Sequence, residues 1–336
     1  MKKAWRVKKG DRKNDFGGLL QEAGVAILAN RGVKTKDEAE EIILPNYLQH
    51  LHDPYLLKDM EKAVERILVA LTNKQKILIF GDYDADGVPA TVLLAEFLKQ
   101  VGHDDFEVYI PHRHNEQYGL SIMAVEKFAA DGVKLIITVD CGISNLAEVK
   151  RARELVIDMV ITDHHLPPTK LPKAVAVINP KRQDCPYPYK HLCGAGVAWK
   201  LVCALIARCS TSDVEQNKIP VGWEKWLLEL VAIATVADMV PMTGENKTMT
   251  KFGLMVLRLT RRLGLLELFR VLKLKREYIA EDDIGFMIGP RINSAGRMSH
   301  ASQAFDLLVT DKEEEAQKIA SELEGRNQER KSQVAE

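Results

Sequence analysis

KILIFGDYDADGVPATVLLAEFLK, residues 76–99, decides how the rest of this chain is read. The apolar run Ile77 to Phe80 has the length and composition of a buried strand. Asp82, Asp84 and Asp86 follow at alternate positions, and Gly87 then turns the chain. An amphipathic helix is expected from near Pro89, a residue suited to a helix's first turn. Three acids at the carboxyl end of a buried strand repel one another. A small divalent cation is the simplest compensation, since oxygen ligands suit Mg²⁺ and Mn²⁺. The pattern D-x-D-x-D-G also opens an EF-hand loop. That reading fails because Leu93 stands twelfth from Asp82, where a bidentate Glu is required, and because a strand precedes the loop. A solvated acidic turn stays open from this stretch alone.

Downstream, strand and helix alternate. The expected elements are strand 77–81, helix 89–101, strand 106–110, helix 121–130, strand 134–139, helix 144–154, strand 158–162 and strand 174–178. This pattern predicts an α/β fold: a mostly parallel sheet with helices on both faces. Ligands of such sheets gather at the carboxyl ends of strands. There the sequence places Asp82, Asp84 and Asp86; then Arg113 in Pro-His-Arg-His; then Asp140; then Asp163, His164 and His165. Singly, each has an ordinary explanation as a turn, cap or structural histidine. Together, carboxylates and histidines on one sheet edge form the ligand set of a dinuclear Mn²⁺/Mg²⁺ hydrolase site.

The remaining features set bounds. Lysine plus arginine and aspartate plus glutamate number 47 each, so any polyanion site must be local or built with metal. No stretch resembles a membrane span, and MKKAWRVKKGDRK is basic without the apolar core of a signal peptide. Cys141, Cys185, Cys193, Cys203 and Cys209 show no paired framework, which suits a reducing cytoplasm. Cys185, His191 and Cys193 lack the second pair that a zinc site needs, and ordinary packing explains them. Residues 1–75 are expected to be a helical supporting layer. Thr35-Lys-Asp-Glu38 fits a capping box, and Met60 to Leu71 carry helical apolar spacing.

GDYDADG (81–87), VDCGIS (139–144) and TDHH (162–165) resemble the signature set of the DHH phosphoesterase superfamily. IPHR (110–113), EQYGLS (116–121), INPKRQDCPYP (178–188), LCGAGVAWKL (192–201), ATVADMVP (234–241) and GPRINSAGRM (289–298) resemble its branch of single-strand-specific 5′→3′ exonucleases, in that branch's order. The resemblance implies metal-dependent 5′→3′ hydrolysis of single-stranded DNA to 5′ mononucleotides in recombination and repair. It implies two ions, Mn²⁺ or Mg²⁺, held by Asp84, Asp86, Asp140, His164 and Asp238, with Asp140 bridging them. Asp238, read alone, is only an acid at the end of an apolar helical run. By the same resemblance Asp82 and Asp163 orient ligands, and His165 faces the scissile phosphate. Arg113 meets the 5′ phosphate, and Arg291 and Arg297 contact backbone phosphates. Implied partners are a 5′-ended single strand, a single-strand-binding protein and a repair helicase, with no membrane, in the cytoplasm.

Two positions depart from the family pattern. Gln117 stands where Gly is usual, and Pro89 replaces the usual Thr. The resemblance divides the chain into an N-terminal helical region (1–75), a DHH catalytic domain (76–310) and the start of a long connecting helix (311–336). In the family that helix leads to a DHH-associated domain and an OB-fold, so this chain is expected to be a catalytic core or a short relative. Two other functions share some of these motifs: a phosphodiesterase of short oligonucleotides or nucleoside phosphates, and a non-catalytic replication scaffold.

Overall fold

The computed structural model describes residues 16–112, 119–209, 219–298 and 301–335. Five strands form one parallel sheet: β1 (Ile77–Gly81), β2 (Phe106–Tyr109), β3 (Leu135–Val139), β4 (Asp158–Thr162) and β5 (Ala176–Ile178). Their order is β2-β1-β3-β4-β5. β1 and β3 are buried throughout, as near-continuous apolar runs in a parallel sheet should be.

Alternation along β1 sends its side chains to two cores. Ile77 and Ile79 pack on one face, the larger core, with the buried residues of α3 (Met60–Thr72), α4 (Gly87–Gln100) and α7 (Gly194–Cys209). Leu78 and Phe80 pack on the other with α5 (Ile122–Ala130) and α6 (Leu146–Glu154). Helices therefore cover both faces, as the alternating pattern predicts. The first helices, α1 (Glu22–Asn30) and α2 (Lys36–Ile43), enclose a small core of their own around Phe16, Leu28 and Ala39. The expected capping box closes α2: Thr35 Oγ1 accepts from Glu38 N, and Glu38 Oε2 accepts from Thr35 N.

Beyond the sheet the chain is helical: α8 (Leu228–Ala237), α9 (Gly244–Leu257), α10 (Leu263–Val271), α11 (Glu281–Asp283), α12 (Gly289–Met298), α13 (Ser302–Val309) and α14 (Glu313–Ala335). α8 is buried from Leu228 to Thr235. A mostly apolar helix belongs in such a place, and its one buried acid, Glu229, is paired with Arg262. A π-helical turn, Ile284–Ile288, links α11 to α12. No helix among the described residues is long and apolar enough to cross a membrane.

Several boundaries differ from expectation. α4 begins at Gly87, two residues before Pro89, because Val88 N already bonds Asp84 O and Ala90 N bonds Asp86 O. Pro89 costs nothing there, since N–H groups of a first turn have no helical partner. α6 begins at Leu146, two residues late, because Gly142 lies at φ +107° and the Ile143 N–H is drawn to Asp163 Oδ2 at 2.9 Å.

Candidate metal centre

The sheet register sets the height of the site. Gly81 pairs with Val139, and Val139 with Thr162. The next residues, Asp82, Asp140 and Asp163, therefore leave three adjacent strands at one level. The β1/β3 pair is also where the strand order reverses, the usual crevice of an open parallel sheet.

The loop after β1 is wound tightly. Asp84 Oδ1 accepts from Asp86 N at 2.8 Å and from Gly87 N at 3.0 Å. Asp86 meets the amino end of α7, where Gly194 N donates to Oδ2 at 2.6 Å and Ala195 N to Oδ1 at 2.7 Å. Unpaired N–H groups and the helix dipole make this a natural anion holder. Gly194 is required for closeness, because a Cβ there would lie 2.3 Å from Asp140 Oδ1. Asp140 itself sits at φ +61°, a left-handed conformation that aspartate tolerates better than most residues. Asp238 caps the carboxyl end of α8, and Met239 follows at φ +58°.

These acids converge on one imidazole. His164 Nε2 lies 3.1 Å from Asp140 Oδ1, 3.6 Å from Asp86 Oδ2 and 3.8 Å from Asp238 Oδ2. Three overlapping groups, Asp82–Asp84–Asp140, Asp86–His164–Asp238 and Asp140–His164–His165, each offer donor atoms within 4.8 Å of one another. All five expected ligands are thus brought together. Asp82, expected to orient ligands, offers a donor atom of its own. Asp163 stays out of these groups. Its Oδ1 accepts from His165 Nδ1 at 2.8 Å and from the backbone N–H of His164 and His165 at 2.7 and 2.9 Å.

Electrostatics follow from the crowding. Burial first, then Asp238 and Asp84, push the Asp86 carboxyl well above its ordinary value. Burial, then Asp86, Asp84 and Asp82, do the same to Asp140. Asp238 is pushed up to about 6 by burial and Asp84. His164 is pushed down to about 4 by burial, with His165 and Lys181 adding, so its ring is neutral at pH 7. A neutral imidazole among oxygen donors is what a divalent ion needs, and a bound ion would turn this mutual repulsion into attraction. The donor set fits. Burial would also raise Asp163, but hydrogen bonds from the His165 side chain and backbone hold it below the usual carboxylate range. The same side-chain bond raises His165.

The arginine expectations fare differently. Arg291 was expected at backbone phosphate, yet it is 5% exposed, and Nε donates to Glu324 Oε2 at 2.7 Å. Its Nη1 reaches the carbonyls of Met287 and Phe286. Its guanidinium ties α12 to α14 and is not offered to the site. Arg113 and the Arg297 side chain lie outside the described residues. Cys141 is buried, and burial pushes its thiol well up, which excludes it as a nucleophile. Cys185, His191 and Cys193 form no donor group among the described residues.

Two contributors carry no expectation from sequence. Asn293 Oδ1 accepts the Ala85 N–H at 2.9 Å, and Gly296 packs so closely that a Cβ would lie 2.7 Å from the Tyr83 carbonyl. Both belong to GPRINSAGRM, so the motif marks the element without revealing its target. The N–H groups of Gly194 and Ala195 leave no trace in a sequence beyond small residues at a helix start.

Residues 76–235 match the model of the DHH family, N-terminal domain. A solved exonuclease RecJ bound to manganese superposes with a TM-score of 0.73 at 32% identity, over 82% of this chain and 67% of that one. The chain belongs to the DHH family, in its RecJ branch. It is 38% identical over 310 residues to the single-stranded-DNA-specific exonuclease RecJ of Bacillus subtilis, covering 92% of this chain and 37% of that protein. The corresponding Escherichia coli protein is 38% identical over 309 residues, covering 91% of this chain and 52% of its own length. The chain therefore spans about half, or less, of the curated relatives it matches.

Proposed function

We propose that this chain is the catalytic core of a two-metal exonuclease that degrades single-stranded DNA from its 5′ end to 5′ mononucleotides, in recombination and repair. The observation that carries the proposal is the convergence of Asp86, Asp140 and Asp238 on His164 Nε2, within 3.1–3.8 Å. The names of the relatives and the manganese in the solved RecJ support the same reading.

Asp84, Asp86, Asp140, His164 and Asp238 would hold two ions of Mn²⁺ or Mg²⁺. When bound, such ions lower the pKa of water and neutralise charge developing on a phosphate and its leaving oxygen. The protein's own groups do the rest. The α7 amino end fixes Asp86, and the left-handed turn aims Asp140. Asp82 adds a further carboxylate beside them. Asp163 holds His165 Nδ1 and so orients that half-exposed ring, which would face the scissile phosphate and donate a proton or hydrogen bond to it.

Arg113 is assigned to the terminal 5′ phosphate and Arg297 to the strand backbone. The three regions 1–75, 76–310 and 311–336 serve as helical support, catalytic domain and connecting helix. A single-strand-binding protein and a repair helicase are the proposed protein partners, in the cytoplasm. The test is digestion of 5′- and 3′-labelled single strands with Mn²⁺, Mg²⁺ or EDTA. Early release of the 5′ label, abolished by EDTA, is expected; release of the 3′ label first would overturn the polarity. A second comparison sets 5′-phosphate against 5′-hydroxyl ends, where Arg113→Ala should narrow the preference for phosphate.

A further inference from the structure

Arg291 is buried against Glu324, and a different cation, Lys181, stands beside the histidine pair without an assigned task. Lys181 follows β5 in INPKRQD, and its placement is enforced by its neighbours. Asn179 is fully buried; its Oδ1 accepts the Lys181 N–H at 2.8 Å, while its Nδ2 donates to the His165 carbonyl at 2.9 Å. One side chain therefore ties the lysine backbone to the histidine pair. On the other side Arg182 is immobilised. It donates to Asp59 at 2.7 Å and to Asp184 through Nε at 2.9 Å, and it also bonds the Val177 carbonyl. The backbone of Lys181 is thereby fixed beside the histidine pair, while its four-carbon side chain keeps its flexibility.

Lys181 itself forms no ion pair among the described residues within 4.0 Å, although acids are dense nearby. It is also partly exposed. Ile178 of β5 pairs with Thr162 of β4, so Lys181 leaves the sheet at the same edge as the histidine pair. The carboxylates of that edge are assigned to metal, and with ions bound they would attract it less. The remaining anion at such a place is the substrate.

We propose that Lys181 binds a phosphodiester oxygen of the single strand as it enters the metal centre, and so positions the linkage to be cut. The inference rests on the proposed function and names a contact within it. A lysine suits the task as a point charge, since it follows a phosphate whose orientation changes as the strand advances. Its contribution should be independent of base sequence and sensitive to salt.

The experiment measures kcat and KM on 5′-phosphorylated oligothymidylate across a salt series for wild type, Lys181→Gln and Lys181→Arg, with bound manganese counted in each. For Lys181→Gln, KM should rise about tenfold, and the slope of log kcat/KM against log salt should flatten by about 0.7, the loss of one single-strand phosphate contact. Lys181→Arg should keep the wild-type slope, and all three should bind the same number of ions. An unchanged slope in Lys181→Gln overturns the proposal. Equal losses in both variants also overturn it, because a charge-independent defect means a structural role. If wild type hydrolyses no strand, the proposed function fails instead.

Discussion

Asn293 and Ala85 are 208 residues apart in sequence, yet the Asn293 side-chain oxygen accepts the Ala85 N–H at 2.9 Å in the middle of the D-x-D-x-D loop. The bond fixes the peptide between Asp84 and Asp86 from outside the sheet. α12 in turn is bound to α14, through Arg291 to Glu324 and through Ser294 Oγ to the Leu323 carbonyl at 3.2 Å. The C-terminal helix and the metal loop thus share one rigid intermediary. Asn293→Ala should weaken Mn²⁺ binding about tenfold, the usual effect of removing a group that orients ligands. Calorimetric titration of Mn²⁺ checks it, and wild-type affinity in the variant would show that the loop holds itself.

Gly194→Ala introduces a methyl group 2.3–2.5 Å from three atoms of Asp140. Neither partner can retreat easily, because Gly194 N is bonded to Asp86 and Asp140 N to the Thr162 carbonyl. The expected result is a loss of hydrolysis by about a hundredfold or more, with at least one ion lost. Metal content by mass spectrometry and helicity by circular dichroism separate this from unfolding.

Asp140→Asn is the informative replacement at the proposed bridging position. Asparagine accepts the left-handed backbone at φ +61°, whereas alanine there adds roughly 1 kcal/mol of strain. Hydrolysis should be abolished in Asp84→Ala, Asp86→Ala and Asp140→Asn alike, each variant remaining folded. Near wild-type turnover in Asp140→Asn would refute the bridging assignment.

The acids should destabilise the metal-free protein in a pH-dependent way. Asp238 has a folded pKa raised to about 6 from 3.8. Its protonated form is favoured by folding, so its stabilising contribution is complete below pH 3.8 and is lost as pH rises through 6. In EDTA, Asp238→Asn should therefore gain little near pH 4. Above pH 6 it should gain on the order of 1–2 kcal/mol after solvent screening. His164 shifts oppositely, to about 4, and contributes stability that is lost as pH falls toward that value. Because His164 Nε2 lies 3.8 Å from Asp238 Oδ2, the size of the gain is read above pH 6, away from the His164 transition. Thermal melts across that range provide the measurement, and a gain independent of pH would mean that Asp238 is not under strain from its neighbours.

His165→Ala should lose most of its rate and still bind two ions, because His165 is engaged by Asp163 and is half exposed. His165 does offer an atom within 4.8 Å of Asp140 and His164 donors, so loss of one ion with the rate would make it a ligand.

Much of this architecture was legible because its signals are local. Buried parallel strands must be continuous apolar runs, so Ile77–Gly81 and Leu135–Val139 announce themselves, and the acids that follow them must share an edge. The helix starts near Gly87 and Leu146 were less legible. The first is set by backbone bonds to Asp84 and Asp86, and the second by the bond from the Ile143 N–H to Asp163, 20 residues away. The place of Arg291 is hard to read from sequence for a different reason. Its partner Glu324 lies 33 residues away on another helix, and nothing in an arginine's neighbours along the chain says whether its charge faces a phosphate or a glutamate. Asn293 and Gly194 act through backbone contacts, which sequence does not spell out.

The proposed ligands run from Asp84 to Asp238, across four strands' worth of sheet and the end of α8. No fragment that stops short of α8 contains the full set. A chain growing on the ribosome would carry its first acids for some 150 residues before the last one docks, and non-local contacts of that span form late. Until then the half-made polypeptide has scattered carboxylates with weak affinity for any ion. Under the proposed function, the nascent chain would stay inert until Asp238 docks, although exposed nucleic acid surrounds it.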